Sequence, residues 1–88
     1  MQVEFLLQFY KDLDAISQKS VKSGLRRLIL QLESSENFQS LPHLKKLSGH
    51  KSAYRFRIGD YRVGFFYVNN TIILARILHR KKIYRSFP

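Results

Sequence analysis

The chain has 88 residues, a net charge of +10 at pH 7 and no cysteine. This length suits one domain over residues 1–88 with a modest core, and the missing thiols exclude a disulfide framework and a thiolate metal site. No apolar run approaches the roughly 20 residues of a membrane-spanning helix, and the N-terminal residues lack a signal-peptide pattern. A cytoplasmic protein without membrane contact is expected.

The N-terminal half predicts one strand followed by two helices. Alternating apolar residues indicate a short strand over residues 2–6. Apolar residues at helical spacing then predict amphipathic helices over about 7–16 and about 18–33, which are expected to form an antiparallel hairpin covering a sheet. Gly24 weakens the second helix by about 1 kcal/mol relative to alanine, so we expect it to mark a close helix contact.

The C-terminal half predicts a loop, a three-stranded meander and a basic tail. Residues 34–53 are loop-like, and the pairs Gly59–Asp60 and Asn69–Asn70 indicate tight turns between apolar runs. The predicted strands span residues 53–58, 61–68 and 71–78. The element order is therefore β-α-α-β-β-β, an α+β fold with an N-terminal helical hairpin packed on a small, mainly antiparallel twisted sheet. The N-terminal strand is expected to join the edge of the meander.

Positive charge is concentrated in the second half of the chain. Residues 1–42 hold equal numbers of acidic and basic residues, whereas residues 43–88 hold eleven Lys and Arg against the single acid Asp60. This segregation favours a partner with dense negative charge, above all nucleic acid, over a generally solubilising surface. A half-chain with one acid also argues against metal-dependent nuclease chemistry, and no cofactor motif is present.

Strand alternation predicts an arginine cluster on the exposed face of the sheet. In "YRFRIGDYRVGFFYV", residues 54–68, Arg55 and Arg57 lie on the face opposite the core residues, and Arg62 joins them from the next strand. Gly64 on that face would leave room for a substrate. Guanidinium groups match phosphate oxygens, and preorganised cations stabilise the charge that develops when a ribose 2′-OH attacks its own phosphodiester.

Residues beyond the last predicted strand can complete this cluster. Arg80 and Tyr84 can fold back beside the sheet, where Tyr84 could stack on a base and His79 could transfer a proton. Each of these assignments has a structural alternative. Arg55 and Arg57 could be solvated strand residues, Arg62 could pair with Asp60, and Arg76 could pair with an acid of a partner or belong to the site. His43 and His50 are interpreted as loop residues, and neither has a metal ligand at suitable spacing.

Residues 44–85, "LKKLSGHKSAYRFRIGDYRVGFFYVNNTIILARILHRKKIYR", resemble the RelE toxins of prokaryotic toxin–antitoxin systems. The shared pattern is a Lys-Lys-Leu-x-Gly lead-in, a Tyr-Arg-x-Arg-x-Gly-x-Tyr-Arg hairpin, and a late His-Arg followed by a tyrosine. A weaker match continues upstream through both predicted helices. The resemblance therefore covers essentially the whole chain and implies the RelE fold.

The resemblance implies an mRNA endoribonuclease that acts in the ribosomal A site. Attack by the 2′-OH would leave a 2′,3′-cyclic phosphate and a 5′-OH, and the translation of that mRNA would stop. Motif positions identify the catalytic set as Arg57, Arg62, His79, Arg80 and Tyr84. The RNA-binding set comprises Arg55, Lys45, Lys46, Lys51, Lys81, Lys82 and Arg85.

One departure from the RelE pattern concerns proton transfer. Well-known members have lysines where this chain has Arg55 and Arg57, and an arginine does not release its proton to become a base. The base could then be His79, Tyr84, a water molecule or a ribosomal group.

The resemblance also implies partners and alternative functions. An acidic RelB-like antitoxin would wrap the basic sheet, and operator DNA would be contacted only through that antitoxin. A ParE-like toxin that poisons DNA gyrase shares the fold without the nuclease activity. An inactive homologue that acts as an antitoxin-bound co-repressor is the third alternative.

Overall fold

A computed structural model describes residues 1–88 and contains five β-strands, three α-helices and one short 3-10 helix. None of the helices has the length and apolar character needed to cross a membrane. The first elements are β1 (Gln2–Phe5), α1 (Leu7–Asp14), α2 (Lys19–Ser34) and the 3-10 helix Phe38–Ser40. The later elements are β2 (Leu44–Lys46), β3 (Ala53–Ile58), β4 (Tyr61–Val68), β5 (Thr71–His79) and α3 (Arg80–Ser86).

The strands form one sheet in the order β1-β5-β4-β3-β2. β1 is parallel to β5, and the remaining neighbours are antiparallel. The predicted α+β class, the meander of β3, β4 and β5, and the N-terminal strand at its edge are thus confirmed. The two meander turns use left-handed backbone at Gly59 (φ 56°), Asn69 (φ 50°) and Asn70 (φ 60°), which glycine and asparagine tolerate best.

The α1–α2 hairpin covers one face of the sheet and encloses the main hydrophobic core. Phe9 of α1, Leu28 of α2 and Phe65 of β4 are fully buried or nearly so in this cluster. α2 approaches β3 so closely that a Cβ added to Gly24 would lie 2.6 Å from Ile58 Cγ2. The close contact predicted at Gly24 is therefore a contact between the helix and a strand, and the missing side chain lets α2 lie directly on the sheet.

The opposite face of the sheet carries α3, which lies in the segment that the sequence pattern leaves as a basic tail. Ile83 and Phe87 are buried in a second, smaller cluster on this face. The Phe87 ring rests on Gly64, where an added Cβ would come within 2.5 Å of the ring. The prediction that Gly64 leaves room for a substrate is wrong, because the chain's own C-terminal segment fills that space. The other buried members of the cluster are Leu47, Ala53 and Ala75.

β2 lies inside the predicted loop and forms one edge of the sheet. Antiparallel pairing with β3 places Lys45 opposite Arg55 and Lys46 opposite Tyr54. A three-residue strand with two lysines shows no apolar alternation, so its conformation comes from the pairing with β3 rather than from local propensity.

Asp12 of α1 is a buried acid that binds the free edge of β5. β1 ends at Phe5, so the outer edge of β5 has no neighbouring strand from Ala75 onward. The Asp12 carboxylate accepts hydrogen bonds from the Ile77 N–H (3.1 Å) and from Nε and Nη2 of Arg76 (2.8 and 3.1 Å). Arg76, for which a partner's acid and the site were both open alternatives, thus finds its acid within the chain.

The ion pair with Asp12 also affects the titration of Arg76. Hydrogen bonding to Asp12 raises the pKa of the Arg76 guanidinium; burial opposes this effect and the charge of the carboxylate adds to it. A basic group whose pKa is raised by folding contributes its full stabilisation below its unfolded pKa, and this is lost only as the pH rises through the folded value. Arg76 therefore stays charged throughout the neutral range.

Asp12→Asn is expected to lower the free energy of unfolding by about 2 kcal/mol, because it weakens the charged hydrogen bonds that Asp12 accepts from Arg76 and from the Ile77 N–H. Equilibrium urea denaturation at neutral pH measures the change. Asp14→Asn neutralises an exposed acid on the same helix and is the matched control, with an expected change below about 0.5 kcal/mol. Equal effects of the two substitutions would contradict the role assigned to Asp12.

Phe87→Ala is expected to release α3 from the sheet while the rest of the fold persists. Loss of a buried phenylalanine costs about 3 kcal/mol, which corresponds to roughly a 100-fold loss of amide protection in α3. Hydrogen exchange followed by NMR measures protection in α3 and in β4 separately. Val68→Ala, which removes an exposed apolar side chain of β4, should leave α3 protected. Unchanged protection of α3 in Phe87→Ala would show that Phe87 does not anchor the helix.

Candidate active site

The register of β3 and β4 brings the strand arginines to one face of the sheet. Arg57 lies directly opposite Arg62, and Arg55 lies opposite Gly64, so all of these residues point away from the α1–α2 hairpin. This is the arrangement that the alternation predicts. Arg57 is exposed, whereas Arg55 and Arg62 are half-buried.

A cavity of about 300 Å³ opens between the strand arginines and α3. Four of its lining residues carry a formal positive charge and none carries a carboxylate, so mutual repulsion is not relieved from within the cavity. An anion that enters would be attracted by every charged group around it. The lining residues are His43, Leu44, Lys45, Arg55, Arg57, Arg62 and Tyr84.

Arg62 is held by the β3–β4 turn rather than by an acid. Its Nη1 donates to the carbonyl oxygens of Gly59 and Tyr61, each at 3.0 Å. The alternative pairing with Asp60 is not formed, because the Asp60 carboxylate lies 4.0 Å from Nε of Arg80 instead. One edge of the Arg62 guanidinium is thus fixed by the protein, and its remaining donors are available to a ligand.

Arg55 and Tyr84 connect the sheet to α3. The Arg55 Cζ lies 4.4 Å from the centroid of the Tyr84 ring, a distance at which a cation is attracted to an aromatic face. The Nε of Arg55 is buried and makes no hydrogen bond. Tyr84 is 66% exposed, so the other side of its ring remains open to a stacking partner.

His43 is a cavity residue that sequence reasoning interpreted only as part of a loop. It does lie in the loop before β2, but its Nδ1 is 2.7 Å from Nη2 of Arg57, and its carbonyl accepts from the Arg57 N–H at 3.0 Å. Its backbone is left-handed (φ 66°). In the sequence, only its position between Pro42 and the Lys45–Lys46 lead-in could have indicated a role in the site. Such a position does not distinguish a site residue from a loop residue.

His79 and Arg80, both predicted to be catalytic, lie outside this cavity. His79 is opposite Tyr61 in the register, on the face that the helical hairpin covers, and its ring is 5.6 Å from the Tyr61 ring. Its Nδ1 accepts the Lys81 N–H (3.2 Å) and so caps α3. Arg80 is exposed at the start of α3, beside Asp60. The structure therefore brings together Arg57, Arg62 and Tyr84 but not His79.

The predicted RNA-binding residues are spread around the cavity. Lys45 and Arg55 line it, whereas Lys46 is the exposed last residue of β2 and Lys51 lies on the exposed segment that joins β2 to β3. The remaining three are exposed on α3: Lys81, Lys82 and Arg85. Together they extend the positive surface on both sides of Tyr84.

Comparisons with known proteins match nearly the whole chain. A family model described as the ParE toxin of type II toxin–antitoxin system, parDE, matches residues 3–84. Toxin RelE3 of Methanocaldococcus jannaschii is 42% identical over 93 residues, with 100% of both chains covered. A chain of the RelB–RelE antitoxin–toxin complex from Methanococcus jannaschii superimposes with a TM-score of 0.82 at 34% identity, covering 97% of this chain and 99% of that chain.

The isolated RelE toxin of E. coli shares the fold alone. It superimposes with a TM-score of 0.67 at 16% identity, over 94% of this chain and 89% of that chain. The resemblance drawn from the hairpin and the late His-Arg motif is confirmed by the family match and by the two archaeal relatives. The chain belongs to the RelE family of toxins, within the RelE/ParE group of type II toxin–antitoxin systems.

Proposed function

We propose that this toxin is a ribosome-dependent mRNA endoribonuclease. The ribose 2′-OH attacks the adjacent phosphodiester, and the products are a 2′,3′-cyclic phosphate and a 5′-OH. The proposal rests on membership of the RelE family and on one observation in the structure. Three arginines and Tyr84 surround a single cavity that contains no carboxylate.

This cavity suits the charge that develops in the reaction. Negative charge grows on the non-bridging phosphate oxygens during attack, and fixed cations stabilise it more strongly than they stabilise the ground state. Arg62 is held in place by two carbonyl oxygens, so it needs no reorganisation when the charge appears. Because oxygen ligands for a divalent cation are scarce in this cavity, the guanidinium groups take the place that a metal ion has in many nucleases.

The residues divide into binding and chemical roles. Arg62 grips the scissile phosphate, and Arg57 lies directly across the hairpin from it. Arg80 supports the leaving group from the start of α3; its contact with Asp60 is long and exposed, and such a pair is worth at most about 1 kcal/mol, so a phosphate can replace it. Tyr84 stacks on a base of the substrate, on the side of its ring away from Arg55.

The exposed lysines and Arg85 extend this surface toward the mRNA and the ribosome. Exposed cations attract phosphates over a distance set by the ionic strength and carry no sequence information. They therefore contribute to docking in the ribosomal A site rather than to the choice of the cleaved bond.

The same surface suits an acidic antitoxin. The RelB–RelE complexes from Methanococcus jannaschii and Pyrococcus horikoshii show relatives of this fold with their antitoxins. The chain has sixteen basic residues and six acidic ones, so an acidic, RelB-like partner is complementary to it in charge. Such a partner would wrap the basic face, block the cavity, and carry any contact with operator DNA.

A second candidate function follows from the family model, which is described as a ParE toxin. A ParE-like chain would inhibit DNA gyrase and leave mRNA intact. The arginine cavity with its exposed tyrosine favours the ribonuclease, because inhibition of a protein target does not require preorganised phosphate ligands.

Arg62→Ala is expected to lower mRNA cleavage on translating ribosomes by about 100-fold or more, because it removes a preorganised ligand of the developing charge. Primer extension on a defined mRNA maps the new 5′ ends for the wild type and the variant. Cuts by the wild type should fall in the A site. Arg26→Ala removes an exposed arginine of α2, away from the cavity, and is the matched control with expected wild-type cleavage.

Intact mRNA after incubation with wild-type protein would contradict the proposed ribonuclease, and a gyrase supercoiling assay would then test the second candidate. Cleavage by Arg62→Ala at the wild-type rate would instead be consistent with the proposed ribonuclease activity but would show that Arg62 is not part of its active site.

Tyr84→Ala and Tyr84→Phe are expected to differ, because only the alanine variant loses the stacking surface. Base–aromatic stacking is worth about 1–3 kcal/mol, so Tyr84→Ala should reduce cleavage by about 10- to 100-fold while Tyr84→Phe retains most of it. Single-turnover cleavage on preassembled ribosome–mRNA complexes measures both. Equal losses in the two variants would show that the hydroxyl group, rather than the ring, provides the contribution of Tyr84.

A further inference from the structure

His43 makes two hydrogen bonds to the same residue of the arginine cluster. Its carbonyl accepts from the Arg57 N–H at 3.0 Å, and its Nδ1 lies 2.7 Å from Nη2 of Arg57. The ring is also edge-on to Phe56, with 6.3 Å between the ring centroids. The imidazole of His43 is therefore held at the cavity wall by its backbone, by a guanidinium and by an aromatic neighbour.

The contact with Arg57 identifies the tautomer of this imidazole. A guanidinium carries only hydrogen-bond donors, so Nδ1 must present its lone pair to Nη2. The ring proton of the neutral form is then on Nε2. His43 thus contributes a ring nitrogen that accepts a hydrogen bond to a cavity in which the other polar groups are cations and one phenol.

The other candidate bases are less suitable. The three arginines do not lose a proton in proteins. Tyr84 has its ring stacked on Arg55, and Nδ1 of His79 is already engaged by the Lys81 N–H on the other face of the sheet. His43 is the one imidazole that lines the cavity, and imidazole is the side chain that changes its protonation state near neutral pH.

We propose that His43 is the general base of the cleavage reaction and that substrate binding exposes its lone pair. This inference rests on the proposed ribonuclease function. A phosphate bound to the cluster takes the Nη2 donor of Arg57, and Nδ1 of His43 is then free beside that phosphate. Because Nη2 is 2.7 Å from Nδ1, a phosphate oxygen accepting from Nη2 brings the neighbouring 2′-OH close to Nδ1.

The proton transfers and the bond changes of this reaction follow one another in a fixed order. The 2′-OH gives its proton to Nδ1 as the 2′-oxygen forms a bond to phosphorus. The bond between phosphorus and the 5′-oxygen breaks, and the 5′-oxygen takes a proton from water. The imidazolium then returns its proton to the hydroxide that remains. The cluster arginines stay charged throughout, so they hold the phosphate and stabilise its developing charge but take no proton.

The backbone of His43 determines the best test variant. A φ of 66° is tolerated by asparagine, and the Oδ1 of asparagine can accept from Arg57 where Nδ1 does. His43→Asn therefore preserves the loop and the Arg57 contact but cannot take up a proton. His43→Gly, which also permits this backbone, is the second variant if the asparagine variant is unstable.

The test is the pH dependence of single-turnover cleavage on preassembled ribosome–mRNA complexes, between about pH 5.5 and pH 8. Charged and titratable groups from every neighbouring element surround His43. They are Arg27, Lys45, Arg55, Arg57, Arg62 and Tyr84. The wild-type rate constant should fall by about tenfold per pH unit on the acid side, as the imidazole becomes protonated. His43→Asn should be slower by about 100-fold or more at neutral pH and should lack this acid limb, with ribosome binding within about twofold of the wild type.

Several outcomes would overturn the proposal while leaving the ribonuclease intact. These are a wild-type rate constant in His43→Asn, an acid limb that persists in that variant, and weaker binding with an unchanged rate constant at saturation. His50→Asn changes another exposed histidine, on the β2–β3 loop, which lines a neighbouring pocket with Arg55 and Tyr84 but not the cavity of His43, and this variant should keep the acid limb. Absence of cleavage by the wild-type protein would instead contradict the proposed function itself.

Discussion

The contact between the Phe87 ring and Gly64 fixes α3 on the sheet, and the composition of the cavity depends on it. With Ile83 and Phe87 buried, the intervening turn of α3 directs Tyr84 over Arg55. Without that docking, the arginines would lie on an open strand surface and would have no aromatic wall. A small apolar cluster of five buried residues therefore assembles a polar site, and the glycine that permits it lies in the middle of the arginine hairpin.

The parts of the fold that were predictable from the sequence are those with a sustained period. The apolar stripe of α2, the alternation of β3 and β4 and the apolar run of β5 extend over many residues, and all four elements were predicted with nearly correct ends. β2 and α3 are short and rich in lysine and arginine. β2 forms because it pairs with β3, and α3 forms because its apolar residues pack into the second apolar cluster. Local pattern carries no information about such partners, so these two elements could not be predicted from it.

The same distinction applies to the candidate site. Strand alternation was enough to place Arg55, Arg57 and Arg62 on one face, because the period of two is a property of the backbone. The positions of His43 and His79 depend on a loop contact and on a break in strand register, which the period does not specify. His43 reaches the cavity because its carbonyl pairs with the Arg57 N–H. The register shift between Gly64 and Phe65 skips Ala75 of β5, so His79 lies opposite Tyr61 on the other face.

The lengths of the strands have a consequence for self-association. The two outer strands have four and three residues, whereas the strands between them have six to nine. Short edges with charged side chains, such as Lys45 and Lys46, offer few unpaired backbone groups to a second copy of the chain. Asp12 closes the one stretch of β5 where a longer edge would otherwise be open. A toxin released from its antitoxin would thus expose a highly charged surface without exposing a template for edge-to-edge polymerisation.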